Sequence, residues 1–344
     1  MQFLYYIFLV FIFFQEGFSE TLKCENFDIK AIYVGASDKI ASKIPFAKKN
    51  SINAFVIDVK NDLGEITCNF GTYKSNRNIK DINSLLSKLK KEGIYTIARI
   101  VVFKDKLKIE ENPNLAIKNK DGSIYIDKEK KRWLNPYLQE TQNYIIDIAK
   151  SAAKAGFDEI QFDYIRFPPF QSLYNTNIEN YLKEKSKIQL INEFLKKAVN
   201  ELHKLNVKVS VDVFGCVIPN CMGELTQKSA ENLGQNYEDI AKIADYICPM
   251  IYPSHWPIDS FNVKYPDLEP FTIIKKSMQL SKKALELIHS QKVRPYLQAF
   301  TATWLKKGHW QIYKQKQVQG QIDALKYSHI SQFCLWNPAG NYCF

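Results

Sequence analysis

The chain has 344 residues, 46% hydrophobic and 13% aromatic, which is enough apolar material for a large core and excludes a disordered chain. Its formal charge of +11 comes from lysines spread along helical segments such as 87–91 and 183–187, so a solvated basic surface is expected and a nucleic-acid groove is not. Such a surface would still attract acidic polymers or anionic lipid weakly and in a salt-sensitive way.

At the N-terminus, residues 3–14 (FLYYIFLVFIFF) are an uninterrupted apolar run, followed by Gly17 and Ser19 near a plausible cleavage point. This predicts a secretory signal peptide over residues 1–19 and an exported protein, periplasmic, envelope-bound or extracellular. No Lys or Arg precedes the run, so an uncleaved anchor is the alternative, although the run is short for a bilayer. A lipid-attached Cys24 is disfavoured by Lys23, which stands where a small residue belongs. Residues 24–344 then read as one domain. The seven cysteines contain no CxxC pair, and several sit in apolar strands where a thiol acts as a small hydrophobe, so no metal cluster is expected.

Short β-branched and aromatic runs predict eight strands, at 31–35, 54–60, 95–103, 159–167, 208–215, 246–252, 293–300 and 332–337. Amphipathic helices lie between them. Residues 81–92 place Ile82, Leu85, Leu86 and Leu89 on one face and close at Gly93, and Asn135-Pro136 reads as the start of a helix that runs to Gly156. Further helical patterns cover 177–205, 236–244, 270–290 and 317–327. Alternating strands and helices imply right-handed crossovers and a parallel sheet, and eight units close into a single-domain (β/α)8 barrel. An open doubly wound sheet is the alternative, but no glycine-rich nucleotide fingerprint follows the first strand.

In a barrel the C-terminal ends of all strands face one cavity. Chemistry-bearing groups gather there: Asp58 and Lys60 after strand two, Lys104 and Asp105 after strand three, Asp163 and Arg166 on strand four, and Asp212 on strand five. Tyr252, His255 and Trp256 follow strand six, Gln298 and Trp304 belong to the seventh region, and Trp336 and Asn337 to the eighth. The fourth strand (FDEIQFDYIRF) is unusually polar for an interior strand, and period two puts Glu159, Gln161 and Asp163 on one face. Glu159 lies roughly 13 Å deeper than Asp163 and reads as structural.

Acids on adjacent strands among aromatic rings suit glycosidic-bond hydrolysis, in which one carboxylic acid protonates the leaving oxygen and a second carboxylate attacks or activates water. Asp163 and Asp212 form the best pair. Asp58 either holds a sugar hydroxyl or pairs with Lys60 or Arg99. None of the five histidines falls within a strand and only His255 is placed at the cavity, so zinc hydrolysis is not expected; there is no GxSxG element for a serine nucleophile. No cofactor is implied. The insertion at 104–135 carries a turn signal at 119–123 and ends at Trp133, which predicts a wall or lid with Trp133 as a sugar platform.

The segments FVIDVK (55–60), WLNP (133–136), FDEIQFDYIRFP (157–168), VSVDVFG (209–215), CPMIYPSHW (248–256) and LQAF (297–300) together resemble the putative glycosyl hydrolase domain family of amylase-like barrels, over nearly the whole chain after the signal segment. The resemblance implies a (β/α)8 barrel and an active site around Asp163 and Asp212. Amylase-type enzymes carry their nucleophile after strand four and a Glu acid after strand five, where this chain has Asp212. The fourth strand is also similar to that of chitinases, but Ile165 holds the catalytic Glu position and Gln161 replaces an acid, so a substrate-assisted mechanism is not implied.

The expected function is hydrolysis of an envelope or extracellular polysaccharide by an exported enzyme. Asp58, Lys60, Arg99, Trp133, Gln161, Arg166, Tyr252, His255, Trp256, Gln298, Trp304, Trp336 and Asn337 would bind the saccharide beside the acid pair. The alternatives are a non-catalytic carbohydrate-binding protein on the same barrel, or an electrostatically attached envelope protein.

Overall fold

Eight parallel strands close on themselves in chain order, with β8 pairing back onto β1. They are β1 (Lys30–Gly35), β2 (Ala54–Lys60), β3 (Tyr95–Val101), β4 (Glu159–Asp163), β5 (Lys208–Phe214), β6 (Tyr246–Met250), β7 (Tyr296–Gln298) and β8 (Phe333–Trp336). The computed structural model describes residues 28–37, 39–73, 78–169, 173, 175–286 and 292–342. The expected signal segment, Cys24 and Cys343 lie outside them. No helix among the described residues is long and apolar enough to cross a membrane.

Strands buried on both faces need apolar residues at every position, and β2 (AFVIDVK) is buried throughout. Its odd and even residues feed two different cores. Ile32, Phe55 and Ile57 face the surrounding helices, while Ala31, Tyr33, Ala54, Val56, Ile97, Cys248, Tyr296 and Cys334 plug the barrel. Cys68, Cys216, Cys221, Cys248 and Cys334 are free thiols.

The helices follow from their caps and stripes. They are α1 (Ile44–Lys49), α2 (Ile82–Lys91), α3 (Lys106–Glu111), α4 (Gln139–Ala155), α5 (Ile178–Leu182), α6 (Lys187–His203), α7 (Glu224–Leu233), α8 (Tyr237–Ile243), α9 (Pro270–Ala284) and α10 (Gln315–Tyr327). In α2, Asp81 accepts a bond from the Ser84 N–H at 2.9 Å, a cap contributing about 1 kcal/mol, and Ile82, Leu85, Leu86 and Leu89 are buried. The expected 177–205 helix is two helices, because Ser186 and Gln189 form a reciprocal capping box that starts α6 afresh. The expected helix start at Asn135 is displaced: the Asn135 carboxamide accepts from the Tyr137 N–H, making a turn, and α4 begins at Gln139. Gly156, at φ 104°, ends α4 in the left-handed conformation.

Several strands are shorter than their apolar runs. The most consequential case is β4, which stops at Asp163 because Tyr164 turns left-handed, at φ 52°. The expected period-two face of β4 is present and runs up the barrel axis as three layers. Glu159 pairs with Arg294 at 2.7 Å, Gln161 accepts from the Tyr296 hydroxyl at 2.6 Å, and Asp163 meets Arg99 at the mouth.

Candidate active site

At the C-terminal mouth lies a cavity of about 550 Å³. Its centre is Arg99 on β3. The guanidinium donates through Nε (3.0 Å) and Nη2 (2.6 Å) to Asp163 Oδ2, and through Nη1 (2.7 Å) to Asp58 Oδ1. Nη2 also reaches Asp62 at 3.2 Å, and three carboxylates hold the Arg99 proton well above its usual range against the opposing effect of burial. A planar fork with fixed donor directions locks the carboxylates around it.

Asp163 is held from both sides. Its Oδ2 takes the two Arg99 bonds, and its Oδ1 accepts from the Tyr164 N–H at 2.7 Å. Tyr164 itself is left-handed, a conformation costing an L-residue about 1–2 kcal/mol. The same turn breaks the strand alternation, so that Asp163, Tyr164 and Arg166 all line the cavity. Strain of this kind collects at functional sites.

Asp212, on the neighbouring β5, is treated in the opposite way. It is 2% exposed and its Oδ1 has no hydrogen-bond partner. Burial first, and then the nearby charge of Asp163, push its carboxyl well above the usual carboxylate range. The mouth therefore holds one carboxylate fixed by three donors and one carboxyl whose pKa is raised by burial and by its neighbour's charge.

The walls are aromatic. Tyr33 and Trp336 pack with ring centroids 4.2 Å apart and carry Arg99 over the Trp336 ring at 5.3 Å. Tyr252, His255 and Trp256 follow β6, with Trp256 packed on Phe261 at 4.8 Å. Gly215 sits where a Cβ would come within 2.8 Å of the Met250 carbonyl and 3.1 Å of the Trp256 ring, so only glycine lets the β5 and β6 ends approach.

Of the residues expected at the site, Arg99, Trp133, Asp163, Arg166, Asp212, Tyr252, His255, Trp256 and Trp336 line this cavity. Asp58 stands just behind it, accepting from Tyr33 at 2.6 Å and from Arg99 at 2.7 Å, so the expected pair with Arg99 is present and one with Lys60 is not. Five more of the expected residues lie outside the cavity lining. A register shift between Asp58 and Lys60 turns Lys60 out of the barrel, where it pairs with buried Asp105 at 2.9 Å. Gln161 lies a layer below the cavity, under the Tyr296 hydroxyl. Gln298 is fully buried and clips loops together through the Ser254 N–H and Asp267. Asn337 donates to the Ala299 carbonyl at 2.8 Å. Trp304 is 63% exposed outside the cavity wall, stacked on Phe300 at 5.8 Å.

Trp133 reaches the wall but is 1% exposed, with its indole N–H given to Asp127 at 2.8 Å, so its ring supports the wall and is no open platform. The insertion does border the cavity as expected, through Asp127, Glu129 and Lys131. Those three, with Asp62 and Tyr164, were not singled out from the sequence. Asp62 and Lys104, bonded at 2.8 Å, join the loops after β2 and β3. Among the described residues no group of three or more His, Cys, Asp or Glu could hold a metal ion.

A family model described as "Putative glycosyl hydrolase domain" matches residues 29–342. A hypothetical protein of Ruminiclostridium thermocellum ATCC 27405 is 34% identical over 53% of this chain and 97% of its own, with a TM-score of 0.45. The PgaB (BpsB) glycoside hydrolase domain of Bordetella bronchiseptica aligns over 91% of this chain and 95% of its own at 13% identity and TM-score 0.64. The spore cortex-lytic enzyme SleL of Bacillus megaterium QM B1551 aligns over 92% and 71% at 16% identity and TM-score 0.52. At such identities the last two are similar in fold. Curated protein sequences give no match.

Proposed function

The chain belongs to the putative glycosyl hydrolase domain family and is by that membership a glycoside hydrolase, and from this premise we propose that Asp163 and Asp212 cleave a glycosidic bond in an exported polysaccharide. The observation that carries the assignment of roles is the opposite environment of the two groups. Asp212, buried and without a partner at Oδ1, is suited to give its proton to the glycosidic oxygen as the C1–O bond breaks. Asp163, oriented by two Arg99 bonds to Oδ2 and one Tyr164 bond to Oδ1, keeps an acceptor site on Oδ1 and is suited to attack C1 or to take a proton from the water that does. The leaving alcohol departs with the Asp212 proton, and the new bond to C1 comes from Asp163 or from that water.

Tyr252, His255, Trp256 and Trp336 supply ring faces for the sugar around this pair. Export is supported by the apolar run at 3–14, and an envelope or extracellular polymer follows from that location. The test is release of reducing ends from a panel of envelope and common polysaccharides by the purified protein, run beside Asp163→Asn and Asp212→Asn. Turnover abolished in both folded variants is the expected result. Full activity in either variant overturns its role, and saccharide binding without turnover, unchanged by both substitutions, replaces the enzyme with a binding protein.

A further inference from the structure

Four arginines fall among the described residues, and three have carboxylate partners: Arg99 with Asp58, Asp62 and Asp163, Arg132 with Glu110, and Arg294 with Glu159. Arg166 has none. It is 5% exposed, it lines the cavity, and the described residues give it one hydrogen bond, from Nη1 to the Phe167 carbonyl at 3.2 Å. Three rings cover its flat faces, with centroids at 4.4 Å (Phe214), 4.7 Å (Tyr164) and 5.1 Å (Trp133).

Rings against the faces of a guanidinium leave its donors free, because the N–H bonds point outward in the plane. A buried cation held by rings and a single carbonyl is poorly compensated for its lost hydration, and burial accordingly lowers the Arg166 pKa. Three acids of the cavity wall are committed elsewhere, and Glu129 acts on Arg166 only through space. Asp163 and Asp62 are bound to Arg99, and Asp127 accepts from the Trp133 indole and from the N–H groups of Glu129 and Lys131. Glu129 is exposed at the rim. Lys131, half-buried on the same wall, has no ion pair among the described residues either.

We propose that Arg166, assisted by Lys131, binds an anionic substituent of the saccharide, a carboxylate or a sulfate, so that the polymer cleaved is an acidic one. The inference rests on the glycoside-hydrolase reading and names the substrate class of that site. An in-plane fork is the geometry that takes two oxygens of one oxyanion side by side. The +11 charge of the chain draws an acidic polymer toward the cavity but cannot by itself select a substituent.

The experiment is a binding titration at physiological salt, read by calorimetry and by tryptophan fluorescence, since Trp133 lies against Arg166. Two matched pairs of short probes separate substituent from backbone and limit polyelectrolyte attraction: trigalacturonate with its carboxyl-reduced form, and sulfated maltotriose with maltotriose. The expected result is about tenfold or more tighter binding of one acidic probe than of its neutral partner, as an added charge-assisted fork would give. Preference in the first pair identifies a uronate site, and in the second a sulfate site. Arg166→Gln should bring the ratio to within about twofold, and Arg166→Lys, which keeps the charge and loses the fork, should fall between. If Arg166→Gln does not fold, Arg166→Lys carries the test, and an undiminished ratio there overturns the inference.

Equal affinity within both pairs overturns the anion site, as does failure of both acidic probes to bind, or a preference that survives in Arg166→Gln. Turnover of neutral polysaccharide that is lost in Asp163→Asn, with no preference for acid, removes the anion site and leaves the hydrolase standing. Arg166-dependent binding of an acidic probe with no turnover of any polymer removes the hydrolase and leaves the anion site.

Discussion

The two ends of the barrel use the same residue types to opposite effect. At the floor, Glu159 and Arg294 meet at 2.7 Å, both without exposed surface, with Tyr246 under the guanidinium at 3.9 Å. One acid faces one base, and the charge is closed. At the mouth, four residues further along β4, Arg99 is shared among Asp58, Asp62 and Asp163, while Asp212 and Arg166 are buried with no opposite charge assigned to either. Burial of an ionisable group is tolerable when a partner compensates it, and the uncompensated cases mark where a ligand or a reaction is expected to act.

The sharpest break in that comparison is Asp212→Asn. As the proposed proton donor its loss should slow turnover by about 10²–10⁴-fold. Stability should move the other way. Below the unfolded-state pKa of about 3.9 both states hold the proton and Asp212 has no effect on folding. Above it the unfolded chain releases a proton that the folded chain keeps, so Asp212 costs about 1.4 kcal/mol for every pH unit up to its raised folded value. Thermal melts across pH 3–8 should show the variant equal to the native protein at the acid end and more stable at neutral pH. A pH-independent difference would show that Asp212 is not held protonated.

At the floor the sign reverses. Glu159→Ala strands the Arg294 guanidinium with no carboxylate, and removing one member of a buried pair costs about 3–5 kcal/mol. Chemical denaturation should report that loss at every pH where the native pair is charged, with no parallel change in the pH profile of any turnover. A cost below about 1 kcal/mol, typical of an exposed pair, would mean that the floor is hydrated and the contrast with the mouth is weaker than drawn.

How far the two ends could be read from the sequence differs for a physical reason. All eight strands and the ladder Glu159, Gln161, Asp163 follow from β-branched runs and period two, both of which are local signals. The pair Asp163 and Asp212 follows from the rule that strand ends face one cavity. Lys60 defied the same rule because a bulge after Asp58 shifts the alternation, and composition gives no sign of it. Tyr164 was passed over because a left-handed tyrosine is rare, and it is this turn that brings Arg166 round to the cavity. Asp62, Asp127, Glu129 and Lys131 arrive on loops, whose paths have no periodicity to read. Trp133 was placed correctly in the chain but not in depth, since its indole was already satisfied by Asp127.

Gly215→Ala tests the wall between β5 and β6. The added Cβ would lie 2.8 Å from a backbone carbonyl that has little freedom to move, so a loss of about 1–3 kcal/mol is expected. Because Asp212 and Tyr252 flank this contact, substrate affinity should fall with it. A stable variant with unchanged affinity would show that the strand ends separate easily and that the cavity is not held by this approach.

The smallest expected effect lies outside the mouth. Trp304 is 63% exposed and stacks on Phe300, which in turn meets Tyr252 edge-on at 5.6 Å, so a row of rings leads from the cavity wall to the surface. An exposed tryptophan contributes little to folding, and Trp304→Ala should change stability by no more than about 0.5 kcal/mol. Its effect should depend on saccharide length. An oligosaccharide too short to leave the cavity should bind equally well to both proteins, while a longer one that reaches the Trp304 face should lose about 1 kcal/mol, the order of a single ring contact. A loss independent of length would place Trp304 against the reacting sugar instead, inside the boundary that the cavity wall now draws.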